Sequence, residues 1–480
     1  MIWGIYHVPL TKRESTFLQF VDFARKLADM GDLVWLVCPL TDVFSPRALG
    51  LDESRVQVLS VPFRPVRGAP IANYSVVPPT VAESFSVAGG RYPVDVFFTA
   101  CTLAVPALFN VLNDQFVDEW HTYIPVVHWE SGIQDKLNRM RESTHHLYAL
   151  GLATSIPVFL SEREYEVGRS LVLRYVPEAA RTFEDRSLVA PTCMDMAKLE
   201  RIRAAMGKRE TPTVLYGARF NAVKQTGKVI RVVDTVYRSG RQLRFVLTTP
   251  TGIKPTVRRG LPKEVFENEY VEVLTHVDRE TYYRIAAQAH VGISMSKFEG
   301  FPIGFWEQLA LEVAVLFPRR PWVKGVVPDW YPWVYEAERN EELAAVAVLG
   351  EMLDDLERTR EKTRFPELWE WAKARLSAMS VVEKMRAHVG NLLERAEVRS
   401  FGDADRLFGE VLEELGSEFR FTQFIARAAE RGRAFHADPW KRALSRIMPS
   451  NYDILQFLRS RGYEAVRFEG RDYVMREVAG

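Results

Sequence analysis

The chain has 480 residues, of which 47% are apolar and 26% charged, with a net charge of +1. That length is more than one hydrophobic core serves, so three domains, or two large ones with an appendage, are expected. Near-balanced charge excludes an overall pull toward a polyanion, and no apolar run reaches the length of about 18 residues that a membrane-spanning helix needs. Cys38, Cys101 and Cys193 have no metal-ligand spacing and leave one cysteine over in any disulfide scheme, which predicts a reducing cytoplasm. Residues 1–6 run straight into a strand without a basic leader, so no signal peptide is expected.

Residues 2–8 read as a short apolar strand and 14–30 as a helix, with Phe17, Phe20, Val21, Ala24, Leu27 and Ala28 on one face. Gly31 closes that helix, and 33–37 is the next buried strand. Strand, helix, glycine, strand opens a doubly wound parallel sheet. Residues 56–90, rich in Pro, Val and Ser, predict strands with long loops, and 95–99 is a further core strand. The strand within 125–132 ends in a polar loop, and His128 there reads either as a hydrogen-bonded loop histidine or as a ligand contact. His145 and His146 lie in a helical stretch without a third metal ligand, so a structural or surface role is expected. Residues 153–160 predict the last strand of a first domain spanning 1–207, followed by a helix capped at Ser161. A helix at 198–206 and a hinge at 207–212 lead into a second domain, 208–399.

That domain opens with a strand at 213–217 and the cations Arg219 and Lys224 just beyond it. A fork and a point charge at a strand's carboxyl end can clamp a diphosphate. Residues 227–240 are a helix, and 243–248 and 270–274 are strands, the latter leading into His276 and Val277. Asp278 precedes a helix to about His290, and 291–295 is a short buried strand. Ser296-Lys297-Phe298-Glu299-Gly300-Phe301-Pro302-Ile303-Gly304-Phe305-Trp306-Glu307 then sets two carboxylates eight positions apart around a turn and a helix start. Unpaired N–H groups at such a start suit a phosphate. The expected helix over 307–314 leads to a strand at 315–317, and 352–396 is helical, with Trp369, Trp371, Ala372, Leu376 and Met379 at core spacing.

The block from Thr275 to Leu316 resembles the EX7E signature of retaining, GT-B-fold glycosyltransferases, family 4 above all. The stretch after the strand at 213–217 is similar to the same family's strand, Gly-Arg-x-x-x-x-Lys-Gly pattern. The resemblance covers roughly 1–398, strongest in 213–317. It implies two Rossmann-like doubly wound domains facing a cleft and a soluble, metal-independent transferase whose co-substrate is a nucleotide-diphosphate sugar. Arg219 and Lys224 are implied to stabilise the diphosphate, together with backbone groups around Gly300, Phe301, Pro302 and Ile303. Glu299 is implied to hold sugar hydroxyls, Glu307 the ribose, His276 and Val277 to pass under the base, and His128 to contact the transferred sugar or acceptor. Three departures stand out. His7–Lys12 replaces a glycine-rich turn after the first strand, Gln225-Thr226-Gly227 replaces the glycine after Lys224, and Glu312-Val313-Ala314 replaces a small-Gly-x-Pro turn.

Residues 400–480 continue past the family's usual end. Asp403 and Asp405 read as capping residues of a helix at 404–415, not as a metal-nucleotide DxD. Helices at 420–432, 439–447 and 450–462 followed by a hairpin at 464–477 outline a winged helix, giving a small α+β module. From residue 419 onward, 12 Arg or Lys stand against 7 Asp or Glu, an excess that admits DNA as a partner through 400–480. Three functions follow: glycosylation of a hydroxymethylated pyrimidine in DNA, turned out of the duplex; glycosylation of a small molecule, polysaccharide or protein, with the tail a docking or dimerisation module; or a non-catalytic sugar-nucleotide- or DNA-binding protein.

Overall fold

The computed structural model describes residues 1–6, 15–38, 45–60, 94–100, 105, 126–130, 132–139, 142–218, 220, 222–250, 252–253, 267–395, 402–424, 427–428, 457–469 and 472–478. The first sheet is built from β1 (Ile2–Tyr6), β2 (Leu33–Cys38), β3 (Val56–Ser60), β4 (Val96–Thr99), β5 (Val126–Glu130), β6 (Ile156–Phe159) and β7 (Leu188–Val189). Their order is β3-β2-β1-β4-β5-β6-β7, and every pairing is parallel. The described helices among them are α1 (Ser15–Asp29), α2 (Ile133–Arg139), α3 (Glu142–Thr154), α4 (Glu162–Tyr175) and α5 (Ala180–Arg186). The sequence places the last strand of this domain at 153–160, but the two-residue β7 follows it.

After α6 (Met196–Ala205), capped by Asp195, comes a second parallel sheet. It comprises β8 (Thr213–Gly217), β9 (Arg244–Thr249), β10 (Val271–Thr275), β11 (Val291–Ile293), β12 (Ala314–Arg319) and β13 (Val334–Glu336), ordered β10-β9-β8-β11-β12-β13. Its helices are α7 (Thr226–Arg238), α8 (Arg279–Gln288) and α9 (Ile303–Ala310), then α10 (Glu341–Asp354), α11 (Leu356–Thr363), α12 (Phe365–Leu376) and α13 (Ala378–Arg395). Two Rossmann-like α/β domains are therefore present. The expected helix at 307–314 instead starts at Ile303, because Pro302 sets the turn before it and Glu312, at φ 58°, ends it.

Both cores follow from alternation. In β1, Trp3 and Ile5 face one side and Ile2 and Tyr6 the other. In β2, Val34 and Leu36 face one side and Leu33, Trp35 and Val37 the other. On the first side lie α1 and, returning from the second domain, Ala378, Val381, Val382, Met385 and Val389 of α13. That return is bolted by Met194, whose N–H donates to Leu376 O at 2.6 Å and whose O accepts from Ala378 N at 3.1 Å. Arg386 adds a fork onto Asp32 at 2.8 and 3.0 Å.

The second side carries an unexpected layer. α14 (Gly402–Leu415), β14 (Glu418–Arg420), β15 (Tyr463–Glu469) and β16 (Asp472–Glu477) form a small module whose Leu407, Val411, Phe419, Tyr473 and Met475 share one core with Ile2, Leu33, Trp35, Phe97 and Val126. Tyr473 packs edge-on against Trp35, their centroids 5.6 Å apart. The three strands run β14-β16-β15, both pairings antiparallel. β14 occupies 418–420, so the helix the sequence predicts over 420–432 begins after it; among the described residues of that span 421–424 and 427–428 are helical. The expected hairpin is present. Helix 439–447 and most of 450–462 lie outside the described residues, and 457–460 are helical. Because α14 starts at Gly402, Asp403 and Asp405 stand inside its first turn, not at the cap.

A fully buried large apolar side chain is worth about 1.5–3 kcal/mol, so uncovering this face removes several such terms at once. A chain ending at residue 399 is expected to be insoluble or to bind a hydrophobic dye strongly, whereas the intact protein stays soluble and silent. Soluble yield and dye fluorescence of the two proteins check this.

Candidate functional site

The second domain brings two loops together at the carboxyl ends of β8 and β11. Gly217 ends β8 under the ring of Tyr282; a Cβ at that position would sit 2.6 Å from Cε2 of the ring. The Tyr282 hydroxyl donates to Gly304 O at 2.9 Å and accepts from Gln308 Nε2 at 3.0 Å, so α8 and α9 close over the strand end. Gln225 takes a left-handed conformation, φ 50°, and its amide donates to Met295 O at 2.7 Å. Lys297 N–H reaches Val223 O at 2.9 Å. These bonds hold the two loops in register, and Lys224 Nζ forms an ion pair with Glu299 Oε1. Glu299 is buried and Lys224 partly so.

Beyond Glu299, Pro302 has no N–H and Ile303 donates its own to Phe301 O at 3.0 Å. Among the described residues no hydrogen bond goes to the N–H groups of Gly300 and Phe301, the pair left for an anion. α9 is anchored by Trp306, which stacks on Trp371 at 4.9 Å and 8° and donates to Val326 O at 2.8 Å. Its Glu307 is buried, and Oε1 accepts from Tyr283 Oη at 2.6 Å and from Arg279 Nη2 and Nε at 3.0 and 3.2 Å. Burial first, then the Glu307 charge, pushes the Tyr283 phenol well above its ordinary range, so it stays a donor.

The first domain meets this from β5. Phe298, beside Glu299, lies over Gly132, whose Cβ position is 3.8 Å from its ring edge, and the Arg163 guanidinium is 5.7 Å from its centroid. Behind Gly132, alternation along β5 puts His128 and Glu130 on one face, both fully buried. His128 Nε2 lies 3.2 Å from Glu130 Oε2, and Lys136 Nζ 2.5 Å from Glu130 Oε1. Burial lowers the His128 imidazole to about 4, against which Glu130 acts only partly. Glu164 accepts from Ile133 N–H at 2.8 Å, and burial raises its carboxyl to about 7.

Of the residues expected from the sequence, Lys224, Glu299 and Gly300–Ile303 are together, and Glu307 stands on the adjoining helix with Arg279 as its partner. Arg219 and the departure at His7–Lys12 lie outside the described residues. His276 is exposed at φ 58° after β10, and Val277 N–H donates to Thr249 O at 3.2 Å. His128 pairs with Glu130 beneath the cleft. Arg279, Tyr283 and the Glu130–Lys136–Glu164 cluster were not foreseen. Period-two alternation could have linked Glu130 to His128, but nothing local ties Arg279 to Glu307 across 28 residues. His145 lies in α3 with Nε2 3.0 Å from Leu137 O. Among the described residues no group of three or more His, Cys, Asp or Glu could hold a metal, and no described helix is long and apolar enough to cross a membrane.

No protein-family model matches the sequence, and no curated protein does. Solved structures do match. Sucrose-phosphate synthase from Thermosynechococcus elongatus aligns with a TM-score of 0.62 at 17% identity over 82% of this chain and 99% of its own. A glycosyltransferase from Rickettsia africae aligns at 0.59 and 14% identity over 82% of this chain and 99% of its own. Anabaena HepE in complex with UDP-glucose aligns at 0.58 and 12% over 82% of this chain and 100% of its own. The fold is GT-B.

Two measurements test this geometry. Gly217→Ala drives a methyl into the Tyr282 ring and is expected to cost about 1–3 kcal/mol, as overpacking does, read by urea unfolding. His128 has a folded pKa of about 4, below its ordinary unfolded value of about 6.5. The unfolded state therefore holds the extra proton between those values, and the stability is complete above about 6.5 and lost as pH falls toward 4. Between pH 6.5 and 4 the wild type is expected to lose about 2–3 kcal/mol more than His128→Gln, with the titrations of Glu164 and of Asp95, a carboxyl just before β4 that burial raises to about 7, common to both proteins.

Proposed function

We propose that this chain is a glycosyltransferase that moves a sugar from a nucleotide-diphosphate donor to a hydroxyl acceptor with retention at the anomeric carbon. The observation that carries the reading is the Lys224–Glu299 pair, held at the ends of β8 and β11 beside the N–H groups of Gly300 and Phe301. UDP and UDP-glucose, bound in the similar HepE structures, support a nucleotide sugar as donor.

In this reading the donor diphosphate takes Glu299's place as the anion on Lys224, with Arg219 adding a planar fork. As the bond from sugar to phosphate breaks, negative charge grows on the leaving oxygen, and a fixed cation stabilises it without reorganising. Glu299, released from Lys224, accepts from sugar hydroxyls. Glu307 accepts from the ribose, and the backbone near His276 and Val277 passes under the base. His128, neutral and buried against Glu130, supports the wall on the sugar and acceptor side from beneath the cleft. No enzymatic nucleophile is assigned, and no metal is required.

For the acceptor, the C-terminal module's share in the first sheet's core favours a tail that completes the acceptor domain, serving a small molecule, polysaccharide or protein. The excess of 12 basic over 7 acidic residues from 419 onward supports the second reading, a hydroxymethylated pyrimidine in DNA. Incubation with a panel of nucleotide sugars, with and without DNA carrying hydroxymethylated pyrimidines, tests both. Donor turnover is expected, falling about 100-fold or more in Lys224→Ala and Glu299→Ala, the scale of losing one transition-state contact. A sharp rise with modified DNA selects that acceptor, and indifference selects the other class. Turnover that survives both substitutions overturns the site, and binding without turnover points to a non-catalytic sugar-nucleotide protein.

A further inference from the structure

Arg279 opens α8, and its guanidinium meets partners on both domains. Nη2 and Nε reach Glu307 Oε1 at 3.0 and 3.2 Å, Nε reaches Tyr283 Oη at 2.5 Å, and Nη1 reaches Asp22 Oδ2 at 3.2 Å. Asp22 belongs to α1 of the first domain, and its other oxygen accepts from Arg25 Nη1 at 2.8 Å. Tyr283 Oη closes the network onto the same Glu307 oxygen at 2.6 Å. Every hydrogen bond described to Glu307 therefore ends on Oε1, and Oε2 is the oxygen left for another donor. Both acids are largely shielded, with Glu307 7% and Asp22 17% exposed. A pairing of this kind persists more than one on open surface. A planar fork with donors on separate edges spans Glu307 and Asp22 in a fixed geometry, whereas a lysine would have to bring its one nitrogen within reach of both.

We infer that Arg279 is a positioning residue that orients Glu307 for the donor and, through Asp22, ties that carboxylate to the first domain, so that donor affinity depends on how the domains are set. The inference rests on the ribose role proposed for Glu307. Among the described residues the Asp22 carboxylate is bonded to Arg25 and Arg279, so its route to Glu307 runs through Arg279. Whatever free energy the Asp22–Arg279 contact gives to the arrangement that binds donor, donor binding returns to that contact. A purely structural ion triad would stabilise the fold without changing affinity, and this separates the two roles.

The test is calorimetric titration of the full chain with UDP, GDP, ADP and dTDP. If the wild type binds none, the donor reading fails and this inference falls with it. With the nucleoside diphosphate that binds, Glu307→Gln and Arg279→Lys are expected to weaken affinity by about tenfold, and Asp22→Asn by about fivefold, the low end of measured site-to-site couplings. Asp22→Glu is expected to restore most of the loss. Circular dichroism melts accompany each titration, and affinities are compared only for folded protein. Asp22→Asn within twofold of wild type while Glu307→Gln is weakened overturns the interdomain tie and leaves the donor reading standing. Arg279→Lys with wild-type affinity and a lowered melting temperature makes the network structural only, which also overturns it.

Discussion

The rest of the structure depends on one constraint, that a parallel sheet buried on both faces needs two covering layers. In the first domain neither layer is completed by the described segments between its strands. α13, returning from the second domain, joins α1 on one face, and the module from α14 to β16 covers the other. Described residues of α13 and of the module from α14 to β16 are thus part of the core of a domain whose first strand starts at residue 2. The burial of Leu407, Val411, Phe419, Tyr473 and Met475 against Trp35, Phe97 and Val126 makes the module a layer of that domain rather than an arm beside it. The same return also fixes the cleft. Two backbone bonds at Met194 and the Arg386–Asp32 fork hold the point where the chain crosses between domains, so the β5 end and the Glu299 loop face each other by construction.

Three buried acids of the site have a cation beside them. Glu299 has Lys224, Glu307 has Arg279, and Glu130 has Lys136. An unpaired carboxylate there would lose hydration without compensation and take up a proton instead. Glu164 shows the alternative: with a backbone N–H and no described ion-pair partner, its carboxyl rises to about 7. The pairings compensate the three carboxylates for lost hydration. The Lys224–Glu299 pair differs from the other two in standing beside unclaimed N–H groups, where a stronger anion can displace the carboxylate.

The doubly wound sheets were legible because fully apolar strands such as 33–37 and strongly one-sided helices such as α1 carry their burial in their period. The eight-residue spacing of Glu299 and Glu307 is local, whereas Lys224 stands 75 residues before Glu299 and is linked to it through the family resemblance. What escaped was set by distant partners. β7 and β14 are two and three residues long, too short for any period, and exist because β6 and β16 offer edges. The tail's outward-looking helical pattern gave no hint that Tyr473 finds its partner at Trp35. Arg279 is an ordinary first-turn arginine until α1 and α9 are brought beside it. Alternation along β5 was readable, but the burial that makes His128 neutral belongs to the neighbouring strands and the layer above.

The departure at Glu312 shows how the donor loops are kept as one body. A left-handed turn ends α9 where relatives of this fold are expected to have glycine, and a side chain there costs about 1–2 kcal/mol of backbone strain. Glu312 offsets that strain with its carboxylate, paired to Arg360 at 2.5 Å and to Arg203 at 3.8 Å, and with its carbonyl, which accepts from Lys208 at 2.9 Å. Lys208 also donates to Leu311 O at 3.1 Å and Ala289 O at 2.7 Å, the C-caps of α9 and α8. A cation at two helix C-termini is favourable on both dipoles, and three carbonyls hold it although burial lowers its ammonium to about 8. α8 and α9 are thereby joined at their carboxyl ends by Lys208 and, further along, by the Arg279–Tyr283–Glu307 network. A pair of helices pinned twice resists independent rotation, and Lys208, just before β8, holds the carboxyl ends of both.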